Sequence, residues 1–303
     1  MDLTLGTVQF GLSYGKRKNE QLIPKQKVSE ILSKSVEVGI KNFDTAQAYG
    51  IAEELLGEAR KTGNIPTDAR VITKFMAPEV IPQGDFSELV RSQLHESQMK
   101  LQQDRLDVVL LHRFHDRWAH GERYWNALLE MRDAGFIGKL GVSVYQPEEA
   151  ETALQDKNIG LIQLPFNLLD HRWRRPVFLN RHSRFQHQTE LHCRSVYLQG
   201  ALISDLQSWP YLQKHGFKYW QDRMDQLLQE SDCQTRQELC FRYVLSQSWI
   251  DSMVIGVDSI SQLLENFDLF SKGSLPAELV DKVNQVTSEV PLNFLNPGGW
   301  VEQ

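Results

Sequence analysis

Four side chains in the first half of the chain, Asp44, Tyr49, Lys74 and His112, are the first candidates for chemistry. Each closes or closely follows an apolar run: Asn42-Phe43-Asp44 leads into Thr45-Ala46-Gln47-Ala48-Tyr49-Gly50, followed by Ile72-Thr73-Lys74 and Leu110-Leu111-His112. An acid, a phenol, an amine and an imidazole can together make a proton donor. A tyrosine in water has a pKa of about 10, too high for an efficient acid at neutral pH, and an adjacent cation lowers it by favouring the phenolate. Lys74 supplies the cation, Asp44 keeps that amine protonated in a semi-buried site, and His112 hydrogen-bonds a substrate oxygen. Such a set suits a carbonyl oxygen that is becoming an alkoxide. No side chain supplies a hydride, so reduction at this site also requires a nicotinamide cofactor.

The elements that must position these groups alternate in period. Short apolar runs read as strands over Leu3–Val8, Ile40–Asp44, Arg70–Lys74, Val108–His112, Leu140–Val144, Ile162–Pro165, Glu190–Val196 and Met253–Ile255. Between them apolar residues return every three or four positions, as in Gln26–Val38, Ala52–Lys61, Phe86–Leu101, Tyr124–Ala134, Pro147–Gln155, Tyr219–Glu230, Gln237–Ser246 and Ile260–Phe270. Gly39 and Gly135 stand where left-handed helix ends need them, and Ser259-Ile260-Ser261-Gln262 has the form of a capping box. Strands alternating with helices pair in parallel, and eight of them close into an α/β (β/α)8 TIM barrel with the four candidates on one rim. The barrel is expected to be a single domain over residues 1–303, with an extra helix and a surface loop near Trp209-Pro210-Tyr211 inserted after strand 7. A non-helical tail, Pro291–Gln303, is expected to lie over one barrel face, with Trp300 as its candidate pocket lid.

Composition narrows the partners. The 41% hydrophobic and 24% charged residues suit a folded core, and 33 basic against 39 acidic residues give a formal charge of −6, so nucleic acid is not expected. No run approaches the ~20 apolar residues of a membrane span, and Met1-Asp2-Leu3-Thr4-Leu5-Gly6 does not resemble a signal, so a cytoplasmic protein without membrane attachment is expected. Cys193, Cys233 and Cys240 are too dispersed for a disulfide frame and read as reduced thiols. His182, His187 and His192 recur every five residues, which puts them on no common face, and no metal site is expected.

Blocks along nearly the whole chain resemble the aldo-keto reductases: Leu5-Gly6-Thr7 with Phe10-Gly11; the Asp44 to Gly50 run with Glu53 and Leu55-Leu56-Gly57; Lys74; and Leu110-Leu111-His112. The likeness continues through Gly138-Lys139-Leu140-Gly141-Val142-Ser143, Gln163-Leu164, Asn167-Leu168-Leu169, Leu198-Gln199-Gly200 and Leu264-Glu265-Asn266-Phe267. The resemblance implies a barrel reductase that uses NADP or NAD on an aldehyde or ketone, as a monomer or weak homo-oligomer. Tyr49 would be the general acid, tuned by Lys74 and Asp44, with His112 orienting the carbonyl. Ser143 and Gln163 would hold the nicotinamide carboxamide, and Glu265 and Asn266 the adenine.

Four departures from the family pattern stand out. Arg194 stands where an aromatic usually stacks on nicotinamide, and a guanidinium can stack on a planar ring in its place. Gly256-Val257-Asp258-Ser259 and Gln262 offer no cation for a 2′-phosphate, which puts an NADP preference in doubt and leaves NAD open, although Ser259 and Gln262 begin a helix whose amides can serve a phosphate. Val144 replaces a common asparagine, and the N-terminal hairpin that often plugs the barrel base is absent or very short. The loops His112–Trp118 and His171–Arg175 are basic and aromatic. If they face the pocket they suit a polar, sugar-like or anionic substrate; otherwise they are a solvated rim. The alternative to an enzyme is a regulatory subunit that keeps the cofactor pocket as a redox sensor and turns over negligibly.

Overall fold

The computed structural model describes residues 1–13, 21–80, 85–180 and 189–300, so His182 and His187 lie outside the described residues. Eight parallel strands close into a barrel in sequence order: β1 Asp2–Gly6, β2 Asn42–Asp44, β3 Arg70–Phe75, β4 Leu106–Leu111, β5 Ile137–Ser143, β6 Leu161–Pro165, β7 Glu190–Arg194 and β8 Ser252–Gly256. β8 pairs back onto β1, with Gly6 opposite Gly256. Around it run α1 Lys25–Glu37, α2 Ala52–Lys61, α3 Phe86–Leu101, α4 Arg123–Asp133, α5 Pro147–Ala153, α6 Lys218–Gln229, α7 Arg236–Leu245, α8 Ile260–Lys272 and α9 Ala277–Val286. α9, with Leu279 and Val283 buried one turn apart, is absent from the sequence reading.

Most buried apolar residues lie in the layer between strands and helices, but Ile72, Val108, Leu110 and Leu161 form a separate cluster. They fill the barrel interior. Gly141 makes room there, since a Cβ at this position would lie 2.6 Å from the Leu110 side chain and 2.1 Å from the Leu161 carbonyl. Polar pairs between opposite strands lie at either end of this plug. At the base, Arg70 of β3 donates to both carboxylate oxygens of Glu190 on β7, at 2.7 and 3.0 Å, and Lys139 and His192 join the same carboxylate. Although burial opposes it, this cluster of donors holds the Glu190 carboxyl well below the usual carboxylate range. At the opposite end Gln163 of β6 reaches Asp44 of β2, with Nε2 donating to Oδ1 at 2.7 Å.

Gly39 and Gly135 take φ of +93° and +88° and end α1 and α4 as their sequence context predicts. Ser259 caps α8 by accepting from the Gln262 amide at 3.3 Å, but the Gln262 side chain accepts from the Asp258 amide rather than from Ser259. The insertion after β7 carries α6 as expected. Trp209-Pro210-Tyr211, expected in a loop, instead opens a short helix, Pro210–Lys214, because proline at a first helical position has no amide to leave unpaired. The tail forms two 3₁₀ turns, and Trp300 meets the edge of Trp209 (ring centroids 5.7 Å apart) and lies near-parallel to Tyr211 (6.4 Å). The tail therefore braces the insertion. Trp300 does not line the main cavity, so it is no direct lid; Trp209, whose Nε1 donates to Ser204 Oγ at 2.7 Å, stands between them. Among the described residues, no helix is long and apolar enough to cross a membrane and no His, Cys, Asp and Glu cluster could hold a metal ion. All three cysteines are free and buried.

Candidate active site

Strand ends bring the four candidates together. Asp44 is the last residue of β2 and Lys74 the penultimate residue of β3, one short of the end expected for it; His112 directly follows β4 rather than ending it. Lys74 Nζ lies 2.8 Å from both Asp44 Oδ1 and Oδ2, 2.8 Å from the Thr45 carbonyl and 3.5 Å from Tyr49 Oη. Lys74 is only 1% exposed, so it needs these partners to stay charged. Burial pushes its pKa down, but the Asp44 carboxylate and the nearby Tyr49 oxygen outweigh burial and hold the ammonium above its ordinary value.

Tyr49 reaches this ammonium from a loop with little freedom. The loop amides of Thr45 and Gln47 donate to the Ile72 and Lys74 carbonyls, and the Gln47 side chain donates to Ser97 and to the Gln93 carbonyl on α3. Gly11 lies so close that a Cβ there would sit 1.8 Å from the Tyr49 carbonyl oxygen, which explains the Phe10-Gly11 pair. From α2, Glu53 accepts from Thr73 at 2.6 Å and from Ser97 at 2.9 Å, tying α2 to α3 and to the strand that carries Lys74. Burial raises the Glu53 pKa against those hydrogen bonds.

His112 stands edge-on to Tyr49, with ring centroids 5.8 Å apart and an interplanar angle of 82°. Burial, followed by the Lys74 charge and more weakly by Arg194 and Arg113, pushes its pKa down from 6.5 to about 4, with Asp44 partly opposing. The imidazole is therefore neutral at neutral pH, fit to polarise an oxygen without carrying charge. The unfolded chain protonates His112 near 6.5 and the folded chain only near 4, so its contribution to stability is present above pH 6.5 and is lost as pH falls toward 4. Urea denaturation at several pH values in this window should show wild type losing on the order of 1–3 kcal/mol more than His112→Phe. Equal losses would mean that this environment does not perturb the imidazole.

A cavity of about 460 Å³ opens beside these groups, a size usual for a small-molecule site. Of the predicted residues, Asp44, Tyr49, Arg194, Gln262, Glu265 and Asn266 line it. Ser143 and Gln163 do not; both are buried, on facing positions of β5 and β6. Ser259 lies apart, in an open groove with Lys27 and Glu30. Arg194, predicted to stack on a nicotinamide, has its guanidinium 4.5 Å from the Tyr145 ring centroid and donates to the Val144 carbonyl at 3.3 Å. Asn266 Oδ1 accepts from Tyr197 Oη at 2.8 Å.

The cavity also recruits Gln9, Gln199, Gln237 and Asp258, which the sequence reading passed over as binding residues. Of these, Gln9 and Asp258 have a positional signal, three residues beyond β1 and two beyond β8 at the same rim. Buried Gln9 Oε1, Gln163 Oε1 and His112 Nδ1 have no partner among the described residues. Of these, Gln9 lines the cavity, and its unmatched amide oxygen fits a ligand that brings an N–H donor, as a nicotinamide carboxamide does.

The basic loops are tied down elsewhere and do not line the cavity. Arg113 pairs with Asp116, Arg117 with Asp156, Arg172 with Asp170, and Arg175 with Glu148 and Glu151. Arg174 donates to the Asn284 carbonyl and to Thr287. These loops are not uniformly solvated, since Phe114, Asp116 and Trp173 are buried, and their cations are already paired.

An eight-stranded parallel barrel with a Tyr, Lys, Asp and His set at one rim defines a class of reductase scaffold. The chain belongs to the aldo/keto reductase family, which it matches over residues 2–288. Methylglyoxal reductase DkgA of Escherichia coli O157:H7 is 28% identical over 151 residues, covering 50% of each chain, so the match spans about half the length of that relative. YqkF, an uncharacterised oxidoreductase of Bacillus subtilis, is 24% identical over 308 residues, covering 95% of this chain and 94% of its own. Among solved structures, the glycerol dehydrogenase of Gluconobacter oxydans superposes with a TM-score of 0.72 at 22% identity, over 97% of this chain and 94% of that one. An aldo-keto reductase from Bacillus halodurans gives 0.71 at 22% identity, over 94% and 91%. At that identity the structures speak for the fold alone.

Proposed function

We propose that the protein reduces an aldehyde or ketone with a reduced nicotinamide, NADH in preference to NADPH, and that Tyr49 Oη delivers the proton. The observation that carries this reading is the buried Lys74 ammonium, held by Asp44 and the Thr45 carbonyl and 3.5 Å from the Tyr49 phenol. Lys74 stabilises the phenolate left after the proton departs, Asp44 keeps Lys74 charged, and neutral His112 donates a hydrogen bond to the carbonyl oxygen. A bound reduced nicotinamide supplies the hydride for the carbonyl carbon. Gln9 Oε1, which lines the cavity, would accept from the carboxamide, and Gln262, Glu265 and Asn266 would line the adenosine end. Family membership, and a relative named for methylglyoxal reduction, support a small carbonyl compound as substrate.

NADH preference rests on charge. Asp258 and Glu265 line the cavity and no Lys or Arg other than Arg194 does among the described residues, so a 2′-phosphate at the adenosine end would meet carboxylates without a cation. Titration with each cofactor, followed by tryptophan quenching, should give NADH a Kd at least about tenfold below that of NADPH. Tighter NADPH binding would instead place the phosphate in the groove between Ser259 and Lys27. The reductase reading is tested by adding a panel of carbonyl compounds to protein and NADH. Binding without any accelerated oxidation would favour the redox-sensing alternative.

A further inference from the structure

Lys74 and Tyr49 sit on different segments, and their own contact does not hold them together. Nζ and Oη are 3.5 Å apart, longer than the roughly 2.9–3.0 Å usual for an N–H···O bond, so the phenol relies on the rest of the fold to stay beside the ammonium. Both segments lead back to one atom. Glu53, 1% exposed and in the first turn of α2, accepts at Oε1 from Thr73 Oγ1 at 2.6 Å and from Ser97 Oγ at 2.9 Å. Thr73 precedes Lys74 on β3, so with side chains alternating along the strand it faces the helices while Lys74 faces the barrel interior. Ser97 in turn accepts at 3.0 Å from Nε2 of Gln47, two residues before Tyr49. α2 itself starts from the tyrosine loop, with the Ala52 amide donating to the Tyr49 carbonyl at 3.1 Å. Glu53 Oε2 is buried without a partner among the described residues, so both arms are held through Oε1.

From this convergence we infer that Glu53 is a positioning residue for the proton donor, its Oε1 fixing the distance between the Lys74 ammonium and the Tyr49 phenol. The direction of the bonds fits that role. Gln47 donates to Ser97, and Ser97 and Thr73 donate to Glu53, so every bond in the chain runs toward one acceptor oxygen and each polarises the next. The attraction between the ammonium and a phenolate forming on Tyr49 falls with distance, steeply where water is excluded. A gap lengthened by a fraction of an ångström therefore slows proton transfer although both residues remain. Glu53 does not line the cavity, so its influence falls on the chemical step and not on binding. The inference rests on the reductase reading and adds to it a residue outside the site.

The test compares Thr73→Val, Ser97→Ala, Glu53→Leu and Glu53→Gln with wild type, using NADH and methylglyoxal. Thr73→Val cuts the lysine arm with little change of volume and should lower kcat about 10-fold; Glu53→Leu cuts both arms and should lower it about 100-fold. Ser97→Ala leaves Gln47 its bond to the Gln93 carbonyl at 2.9 Å and should cost less than either. Glu53→Gln keeps an accepting oxygen and should stay within about threefold of wild type, as should the KM for methylglyoxal and the NADH Kd, which also reports folding, in every variant. Should Glu53→Leu not fold, Thr73→Val decides alone. In a Tyr49→Phe background, read by single turnover, Thr73→Val should cost nothing further, because no phenol is left to position. An equal loss in that background overturns the inference, as does a wild-type kcat in Thr73→Val, or a loss carried by KM or by NADH affinity. Crystals of Thr73→Val read the geometry without turnover: a separation of Nζ and Oη longer than in wild type supports the inference, and an unchanged one overturns it. Failure of methylglyoxal and of every other carbonyl with wild type removes the reductase reading, while that separation still decides whether Glu53 positions the pair.

Discussion

Tyr49→Phe is expected to lower kcat roughly 10²–10⁴-fold while leaving the fold and NADH binding in place, because general acid catalysis contributes about that much and only one oxygen is removed. The phenyl ring keeps its edge contact with His112 and its place 4.9 Å from Lys74 Nζ. What disappears is an O–H that lies both on the cavity and 3.5 Å from a buried ammonium. Loss of kcat and kcat/KM by similar factors would mark an interaction made in the transition state, whereas a rise in KM alone would mark Tyr49 as a binding group. Single-turnover mixing with NADH separates the two without interference from product release. Turnover within a factor of about two of wild type would remove Tyr49 from the chemistry.

The strands were legible because they are short apolar runs cut off by a polar residue, a glycine or a proline, and a parallel strand buried on both faces leaves that signature. His112 and Lys74 were placed to within a residue of their strand ends for the same reason. α9 was missed: the sequence reading named no helix between Phe270 and the tail at Pro291, although Pro276 immediately precedes one that buries Leu279 and Val283. Pairings across the barrel were also out of reach. Gln163 bonds Asp44 from 119 positions away, and Arg70 meets Glu190 from 120 away, and both depend on registers that no local pattern encodes.

The Arg194 case is of that kind as well. Its departure from the family pattern was visible, but whether it would stack on cofactor or on Tyr145 depends on how the ends of β5 and β7 face one another. The basic loops read alike in sequence wherever they point. Only the positions of Asp116, Asp156, Asp170 and Glu148 show that their charges are already matched.

Lys74→Met should destabilise the protein by about 3–5 kcal/mol, the usual cost of removing one partner of a buried pair, with a fall in Tm on the order of 10 °C. Methionine fills the same volume, so the loss is electrostatic rather than a cavity. Asp44, 4% exposed, would keep only the Gln163 donor on Oδ1, and the Thr45 carbonyl would lose its Lys74 donor. The double variant Asp44→Asn with Lys74→Met removes the orphaned charge and should recover more than half of the lost stability, as a neutral pair of similar shape often does. Neither variant should regain turnover, because the phenolate left on Tyr49 would have no cation beside it. Chemical denaturation of the four proteins of this cycle reads the coupling directly. Additive effects would mean that Asp44 finds another partner when Lys74 is absent, and that the pair serves the proton donor without bracing the barrel mouth.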